Sequence, residues 1–280
     1  MRKFKEVILK VLLYLSALIT VGILVFIIGF IFIKGYKLIN FNYLFGEYKP
    51  SGGGGIKPFI VSTLYTIGLS LIVATPIGVL SAVYLHEYAK QGRLVKIIRY
   101  STEALSGIPS IVYGLFGAAF FVTTLKFGYS LIAGSLTLSI IILPVIIRTT
   151  EEALKVVPPS YREASLGLGA TRFQTLYKVI LPSAVPGIVS GVVLSMGRVI
   201  GESAALFLTA GTVYKMPTSI MSSARTLTVH AFLETKEKGD IASAAAAGIV
   251  LIVMILILNL LGTKDLVNLQ PLTVNVIIFS

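Results

Sequence analysis

Six long apolar runs divide the chain, with polar segments between them. They lie at about residues 11–33, 59–85, 107–125, 128–147, 184–211 and 241–262. A helix formed by any of these runs is long enough to cross roughly 30 Å of hydrocarbon, and the first run is too long for the core of a signal peptide. The pattern predicts an all-α integral membrane protein with six transmembrane helices. Only Lys126 and Phe127 separate the third run from the fourth, so these two helices should form a tight hairpin.

The composition agrees with a membrane protein. Of 280 residues, 55% are hydrophobic and only 13% are charged, which leaves too little polar surface for a soluble globule of this size. The formal net charge of +12 does not predict a nucleic-acid partner, because the Lys and Arg residues lie between apolar runs and form no basic face interleaved with aromatic residues. Lipid is therefore the expected surroundings.

The few potential metal ligands are scattered. The chain has no cysteine, which excludes a disulfide framework, a thiolate metal site and a Cys nucleophile. The two histidines, His86 and His230, are too far apart in sequence for a local metal motif, and we interpret both as ordinary interfacial residues. We expect neither a metal site nor a cofactor site in this chain.

The basic residues predict the orientation. Residues 1–10 carry four Lys or Arg and should form a cytoplasmic tail, followed by an external loop at 34–58 and a five-helix core at 59–262. Residues 86–106, loop 148–183 and the mainly apolar tail 263–280 then also lie in the cytoplasm, with fourteen Lys or Arg inside, nine outside and Arg198 within a span. The bias has the sign expected for a cytoplasmic N-terminus.

A glycine-rich stretch at Gly52–Gly55 has no nucleotide-binding signature. No Gly-Lys-Ser or Gly-Lys-Thr follows it and no strand precedes it, so we interpret it as a flexible tether. The chain is therefore not expected to hydrolyse ATP itself.

The most distinctive segment is amphipathic and extends from Pro158 to Pro182. Ser160 and Glu163 have the spacing of a capping box, Gly167 and Gly169 can end a helix, and a second capping box begins at Thr171. Two short helices with a bend between them are predicted. The second helix should carry one apolar stripe that needs a partner surface, with Pro182 marking its end; the stripe comprises Phe173, Leu176, Tyr177 and Ile180.

The spacing within this segment resembles the signature of ABC importer permeases. The matching residues are Glu163, Ala164, Gly169, Leu181 and Pro182. Ser165 and Val179 replace an Ala and an Ile of the family pattern. The resemblance implies a type I permease fold in which this loop is a coupling helix that docks on a separate cytoplasmic ATPase. From the residues alone, an amphipathic connector lying on the membrane or on its own protein is an equal alternative.

The fifth run contains two charged residues, Arg198 and Glu202. Four residues apart on a helix they would share a face and could pair. One interpretation is a structural ion pair between helices. The other, which we favour, is a substrate pathway, because the planar guanidinium of Arg presents donors that fit a phosphate group bidentately.

Two segments are similar to those of the phosphate-specific Pst permeases. They are Ser106–Phe116 and Gly197–Gly211, and the Leu-Thr-Ala-Gly at the end of the latter favours the A-type subunit. The resemblance implies a multi-pass protein of a prokaryotic plasma membrane that pairs with a C-type permease. It also implies an external phosphate-binding protein and a cytoplasmic ABC ATPase dimer, which binds ATP and Mg. Alternatives are a permease for sulfate, molybdate or an amino acid, a secondary transporter, and a non-transporting scaffold.

Overall fold

A computed structural model gives an all-helical chain. It describes residues 2–50, 54–90 and 92–279, with side chains described from residue 5 to residue 262 within those ranges. The α-helices are α1 (Arg2–Gly35), α2 (Phe41–Phe45), α3 (Lys57–Val83), α4 (Arg93–Ser106), α5 (Ser110–Gly117), α6 (Leu131–Val156), α7 (Pro159–Gly167), α8 (Arg172–Thr175), α9 (Leu181–Gly201), α10 (Ala204–Thr209), α11 (Leu227–Glu237) and α12 (Ile241–Phe279). Three π-helical turns follow α3, α5 and α8, at Tyr84–Tyr88, Ala118–Thr124 and Leu176–Ile180.

Five helical stretches are long and apolar enough to cross a membrane, and a bent pair of helices is the candidate for a sixth crossing. The single stretches are Lys5–Leu38, Lys57–Tyr88, Leu131–Val156, Arg172–Gly201 and Ile241–Gly262. The bent pair combines Arg93–Ser106 with Ser110–Thr124, which meet at 98°. Six crossings were expected, and up to six are present.

One predicted span has the wrong bounds, and one helix was not predicted. Helix α4 precedes the third run and is separated from it by a bend ending at Pro109, where the missing N–H and the constraint on the preceding residue stop the helix. The predicted 184–211 span is instead a helix that begins at Arg172 and ends at Gly201, after which α10 is separate. Residues 125–130 confirm the short connection between the third and fourth crossings.

The centre of the fold is a tight contact of α3, α6 and α9. A Cβ added to Gly191 on α9 would lie 2.0 Å from Thr149 Oγ1 on α6, and one added to Gly187 would lie 2.4 Å from Ala153 Cβ. Small residues allow this close approach, which is how membrane helices gain packing energy without a hydrophobic driving force. The main buried cluster extends from these helices to α10 and α11.

The end of the bundle opposite α7 is organised around a buried carboxylate on α11, Glu234. Its Oε1 accepts hydrogen bonds from Tyr48 Oη at 2.8 Å and from Lys238 Nζ at 3.0 Å. The neighbouring His230 is 2% exposed and stacks on Phe59 with ring centroids 4.1 Å apart, so it is packed inside the protein at this end of the bundle. The hydrogen bond between Tyr48 and Glu234 thereby attaches the segment that contains Tyr48 to α11.

The described residues contain no group of three metal-ligating side chains.

We predict that acid loosens this attachment. Burial, reinforced by Arg225 and Lys238, lowers the pKa of His230 to about 3 from its ordinary 6.5, while Asp240 acts in the opposite direction. When the segment detaches from α11, His230 regains its ordinary pKa and binds a proton near pH 6.5, whereas His230 in the attached form does not. The attachment is therefore fully stable above pH 6.5, and its stability falls as the pH falls towards 3. Between pH 7 and pH 5 the free energy that stabilises the attachment falls by about 2 kcal/mol, which raises the equilibrium constant for detachment roughly 30-fold.

Hydrogen exchange of residues 41–60, corrected for intrinsic rates, measures this opening. In His230→Phe, which keeps an aromatic ring against Phe59 but cannot titrate, the pH dependence should disappear. Equal pH dependence in the two proteins would contradict the assignment to His230.

Candidate coupling surface and substrate pathway

Helix α7 begins two residues earlier than the sequence suggests. Its N-cap is Pro158 and its first residue is Pro159, and no side chain caps it. The predicted capping box of Ser160 and Glu163 is therefore wrong. Proline at the first helical position has a backbone φ already suited to the helix and lacks only an N–H that would be unpaired there, so Ser160 is placed inside the first turn.

The bend after α7 depends on one glycine. Gly169 has φ +85°, whereas Gly167 is the last residue of α7 and is not among the residues with positive φ. The second capping box is confirmed: Thr171 Oγ1 accepts from Gln174 N at 3.3 Å, and Gln174 Oε1 accepts from Thr171 N at 2.8 Å. The two helices and the bend therefore form as predicted, with the turn placed at Gly169 rather than Gly167.

Helix α7 presents two different faces. Glu163 and Ala164, which carry the signature, are exposed. Arg162 and Ser165 are half-buried: Arg162 donates to Glu87 Oε1 on the turn after α3, and the Ser165 and Thr175 hydroxyls are 3.0 Å apart. The signature face is thus open to a partner while the other face is attached to the same chain.

The predicted single stripe on the next helix is divided between two surroundings. Leu176 and Ile180 are 8% and 2% exposed and pack in a cluster with Val83, Leu154 and Ala184. Phe173 and Tyr177 are each 66% exposed, and their rings stack with centroids 6.4 Å apart. The chain covers only one side of the stripe, so a second apolar surface remains available to a partner.

Leu181 and Pro182 do not end a helix. They are the first residues of α9, which follows the π-helical turn Leu176–Ile180 without a break. The helix continues through Pro182 because the π-helical turn already interrupts the hydrogen-bond ladder in which proline could not take part. Pro182 as the end of the segment is therefore a wrong prediction.

Arg198 and Glu202 do not form the ion pair that their spacing allowed. Helix α9 ends at Gly201, so Glu202 has an extended backbone, with ψ 127°, and does not share a helix face with Arg198. Its Oε1 instead accepts from Ala205 N at 3.1 Å, at the start of α10. Within the described part of the chain, Arg198 is a half-buried residue with no carboxylate within salt-bridge distance and no hydrogen bond.

The two segments that resemble Pst permeases lie side by side. A Cβ added to Gly114 on α5 would be 2.8 Å from the Cα of Ala205 on α10. Arg198 interacts electrostatically with Tyr113, which is buried beside it and donates to Leu105 O at 2.7 Å. Arg198, which is half-buried and has no salt-bridge partner among the described residues, thus lies in the last turn of α9, just before the break between α9 and α10.

A cavity of about 530 Å³ with charged and apolar residues in its lining lies between α4 and α6. Two ion pairs line it, Arg99 with Glu151 and Arg148 with Glu152, each with Nε to Oε1 at 3.2 Å. Sequence reasoning did not single out these four residues. The only available signal was the position of charged residues at the ends of apolar runs.

Comparisons with known proteins agree with this arrangement. Residues 74–263 match the family described as binding-protein-dependent transport system inner membrane component. The probable ABC transporter permease protein YqgI of Bacillus subtilis is 36% identical over 263 residues, which cover 88% of this chain and 90% of the relative. The phosphate transport system permease protein PstA of Pasteurella multocida is 37% identical over 211 residues, 75% of each chain.

Solved structures share the fold. A bacterial alginate ABC transporter, in complex with an alginate-bound periplasmic protein, has a chain that aligns with TM-score 0.65 and 19% identity, covering 94% of this chain and 96% of that one. The MetNI methionine ABC transporter in an inward-facing conformation aligns with TM-score 0.60 and 19% identity, over 77% and 94% of the two chains. The chain therefore belongs to the binding-protein-dependent transport system inner membrane component family, as a multi-pass permease subunit of an ABC importer and not its catalytic subunit.

Proposed function

We propose that this permease carries inorganic phosphate into the cytoplasm. The observation that supports it most is Arg198, which has no salt-bridge or hydrogen-bond partner among the described residues and lies among the segments that are similar to phosphate permeases. Arg binds phosphate oxygens through two parallel hydrogen bonds, and a guanidinium that is not already paired with a carboxylate has both donors available.

Glu202 supplies a basis for selectivity in this proposal. Hydrogen phosphate carries a proton that sulfate lacks at neutral pH, and an ionised carboxylate can accept a hydrogen bond from it. One Glu202 oxygen already accepts from Ala205 N, which leaves the other for the substrate.

The proposed complex contains four kinds of subunit. The exposed Glu163 and Ala164 face and the exposed aromatic pair, Phe173 and Tyr177, suit docking on a cytoplasmic ATPase dimer that binds ATP and Mg. A C-type permease forms the second half of the pathway, and an external phosphate-binding protein delivers the substrate at the opposite end. The alginate transporter, with its bound periplasmic protein, is a structural precedent for such delivery.

Solute-dependent ATP hydrolysis tests the substrate. We expect phosphate, together with its binding protein, to stimulate hydrolysis by the complex reconstituted in proteoliposomes, and sulfate, molybdate and amino acids not to do so. Each of the other solutes is supplied with its own binding protein. If one of them stimulates ATP hydrolysis and phosphate does not, that solute is the substrate and the proposal is wrong.

Thiol labelling tests the orientation, since the chain has no cysteine of its own. A cysteine at Thr218, which is exposed in the segment after α10, should react with an impermeant reagent applied outside intact cells. A cysteine at the exposed Ser160 on α7 should react only after the membrane is opened. Labelling of Ser160 from outside would overturn the cytoplasmic placement of the coupling helix and of the N-terminus.

A further inference from the structure

We propose that the ion pair between Arg162 and Glu87 transmits the movement of the coupling helix to α3, an inference that rests on the proposed function. Arg162 lies directly before the signature residue Glu163, but it is half-buried and contacts the same chain, whereas Glu163 is exposed. Its guanidinium donates to Glu87 Oε1, 75 residues earlier in the chain. The pair therefore joins the docking element to a membrane-crossing helix.

The position of the carboxylate supports a mechanical role. Glu87 belongs to the π-helical turn Tyr84–Tyr88, which continues α3, and its side chain is only 14% exposed. Arg162 is 44% exposed. A carboxylate with so little access to water depends on its cation more than an exposed one does, so movement of Arg162 displaces Glu87 rather than simply breaking the pair.

Helix α3 can carry that displacement across the membrane. It contacts α6 and α9 along the bundle, where a Cβ on Gly78 would lie 2.7 Å from Ile146. Its other end is attached to α11: Thr63 Oγ1 accepts from Leu227 N at 2.9 Å, and Phe59 stacks on His230. The described contacts thus form a continuous connection from the coupling helix to the opposite end of the protein.

A second contact joins α7 to α8 and thus to α9. The Ser165 and Thr175 hydroxyls are within hydrogen-bonding distance, but neither is charged and both lie next to the bend at Gly169. Because α8 follows α7 directly in the chain, that connection survives loss of the hydrogen bond. The polar contact of α7 itself with the end of α3 has no such covalent support, so Arg162 is its positioning residue; the apolar packing of Leu176 and Ile180 on Val83 connects α3 to the turn after α8 and not to α7.

Charge variants in the reconstituted complex test the proposal, with phosphate uptake and ATP hydrolysis measured in the same vesicles. We expect Arg162→Gln and Glu87→Gln to assemble and hydrolyse ATP, but to import about tenfold less phosphate per ATP, within the range of measured coupling effects. The exchanged pair, Arg162→Glu with Glu87→Arg, should recover most of the loss. As a control, Lys90→Gln removes an exposed positive charge three residues after Glu87 and should leave the amount of phosphate imported per ATP unchanged. A normal ratio in both single variants, or no recovery in the exchanged pair, would overturn the proposal.

A measurement independent of the substrate separates this proposal from the proposed function. Spin labels on cysteines at Tyr84 and Leu168, both exposed, report the separation of the α3 end from the bend after α7. In the otherwise unaltered complex the distance distribution should be the same with and without ATP, because the two elements move together. In Arg162→Gln, ATP should shift or broaden it. An equally narrow and unshifted distribution in Arg162→Gln would overturn the link, whatever solute the importer carries.

Discussion

Replacing Arg198 by Gln is expected to reduce phosphate uptake per assembled complex by about 100-fold. Two charge-assisted hydrogen bonds to a phosphate are lost, and together they are worth about 3 kcal/mol. The complex should still assemble, because no carboxylate among the described residues depends on Arg198. Uptake normalised to the amount of purified complex is the measurement.

Two further variants separate anion binding from a structural role. Arg198→Lys should recover little uptake, since an ammonium group is a point charge without the bidentate geometry. The double variant Arg198→Gln with Glu202→Gln should assemble as well as the single variant, because Gln at position 202 keeps an oxygen that can accept from Ala205 N. It should remain inactive, because it still lacks the Arg198 guanidinium. Near-normal uptake in the double variant would rule out Arg198 as the anion contact.

Gly169→Val is expected to lower uptake by about tenfold while the protein remains in the membrane. Gly169 has φ +85°, a conformation that costs a β-branched residue roughly 1–3 kcal/mol. A Cβ at this position would meet nothing within 4 Å, so the effect comes from the backbone and not from a clash. A strained bend would tilt α7 and misplace Glu163 and Ala164 relative to the ATPase.

Two matched variants control for the bulk of the side chain. Gly167→Ala adds a Cβ that also meets nothing within 4 Å, at a helical glycine with negative φ, and should transport normally. Gly169→Asn should retain more uptake than Gly169→Val, because Asn tolerates the left-handed conformation. Full uptake and phosphate-stimulated hydrolysis in Gly169→Val would show that this bend does not transmit movement.

The sequence by itself determined the class of fold and the place of the coupling segment. Apolar runs of sufficient length can cross lipid only as helices, because the hydrocarbon offers no partners for backbone N–H and C=O groups. The capping box at Thr171 and the left-handed turn at Gly169 are likewise local, since their hydrogen bonds and dihedral angles involve residues within three positions of each other. Short-range patterns of this kind can be interpreted from sequence alone.

The tertiary structure decided which of the singled-out side chains meet. Arg198 and Glu202 have the spacing of a pair, but the end of α9 at Gly201 separates them. Leu176 and Phe173 belong to one stripe by spacing, yet only Leu176 is covered by the helices that pack there. Burial depends on residues that are distant in the chain, and helical periodicity does not contain that information.

The contacts that connect the two ends of the protein were also beyond the sequence. His230 on Phe59 joins residues 171 positions apart, and Arg162 on Glu87 joins residues 75 apart. No local propensity distinguishes Arg162 from any other half-exposed cation on a short helix. Its partner is set by the packing of α3, α6 and α9, which brings the end of α3 next to α7 and excludes most of the water around Glu87.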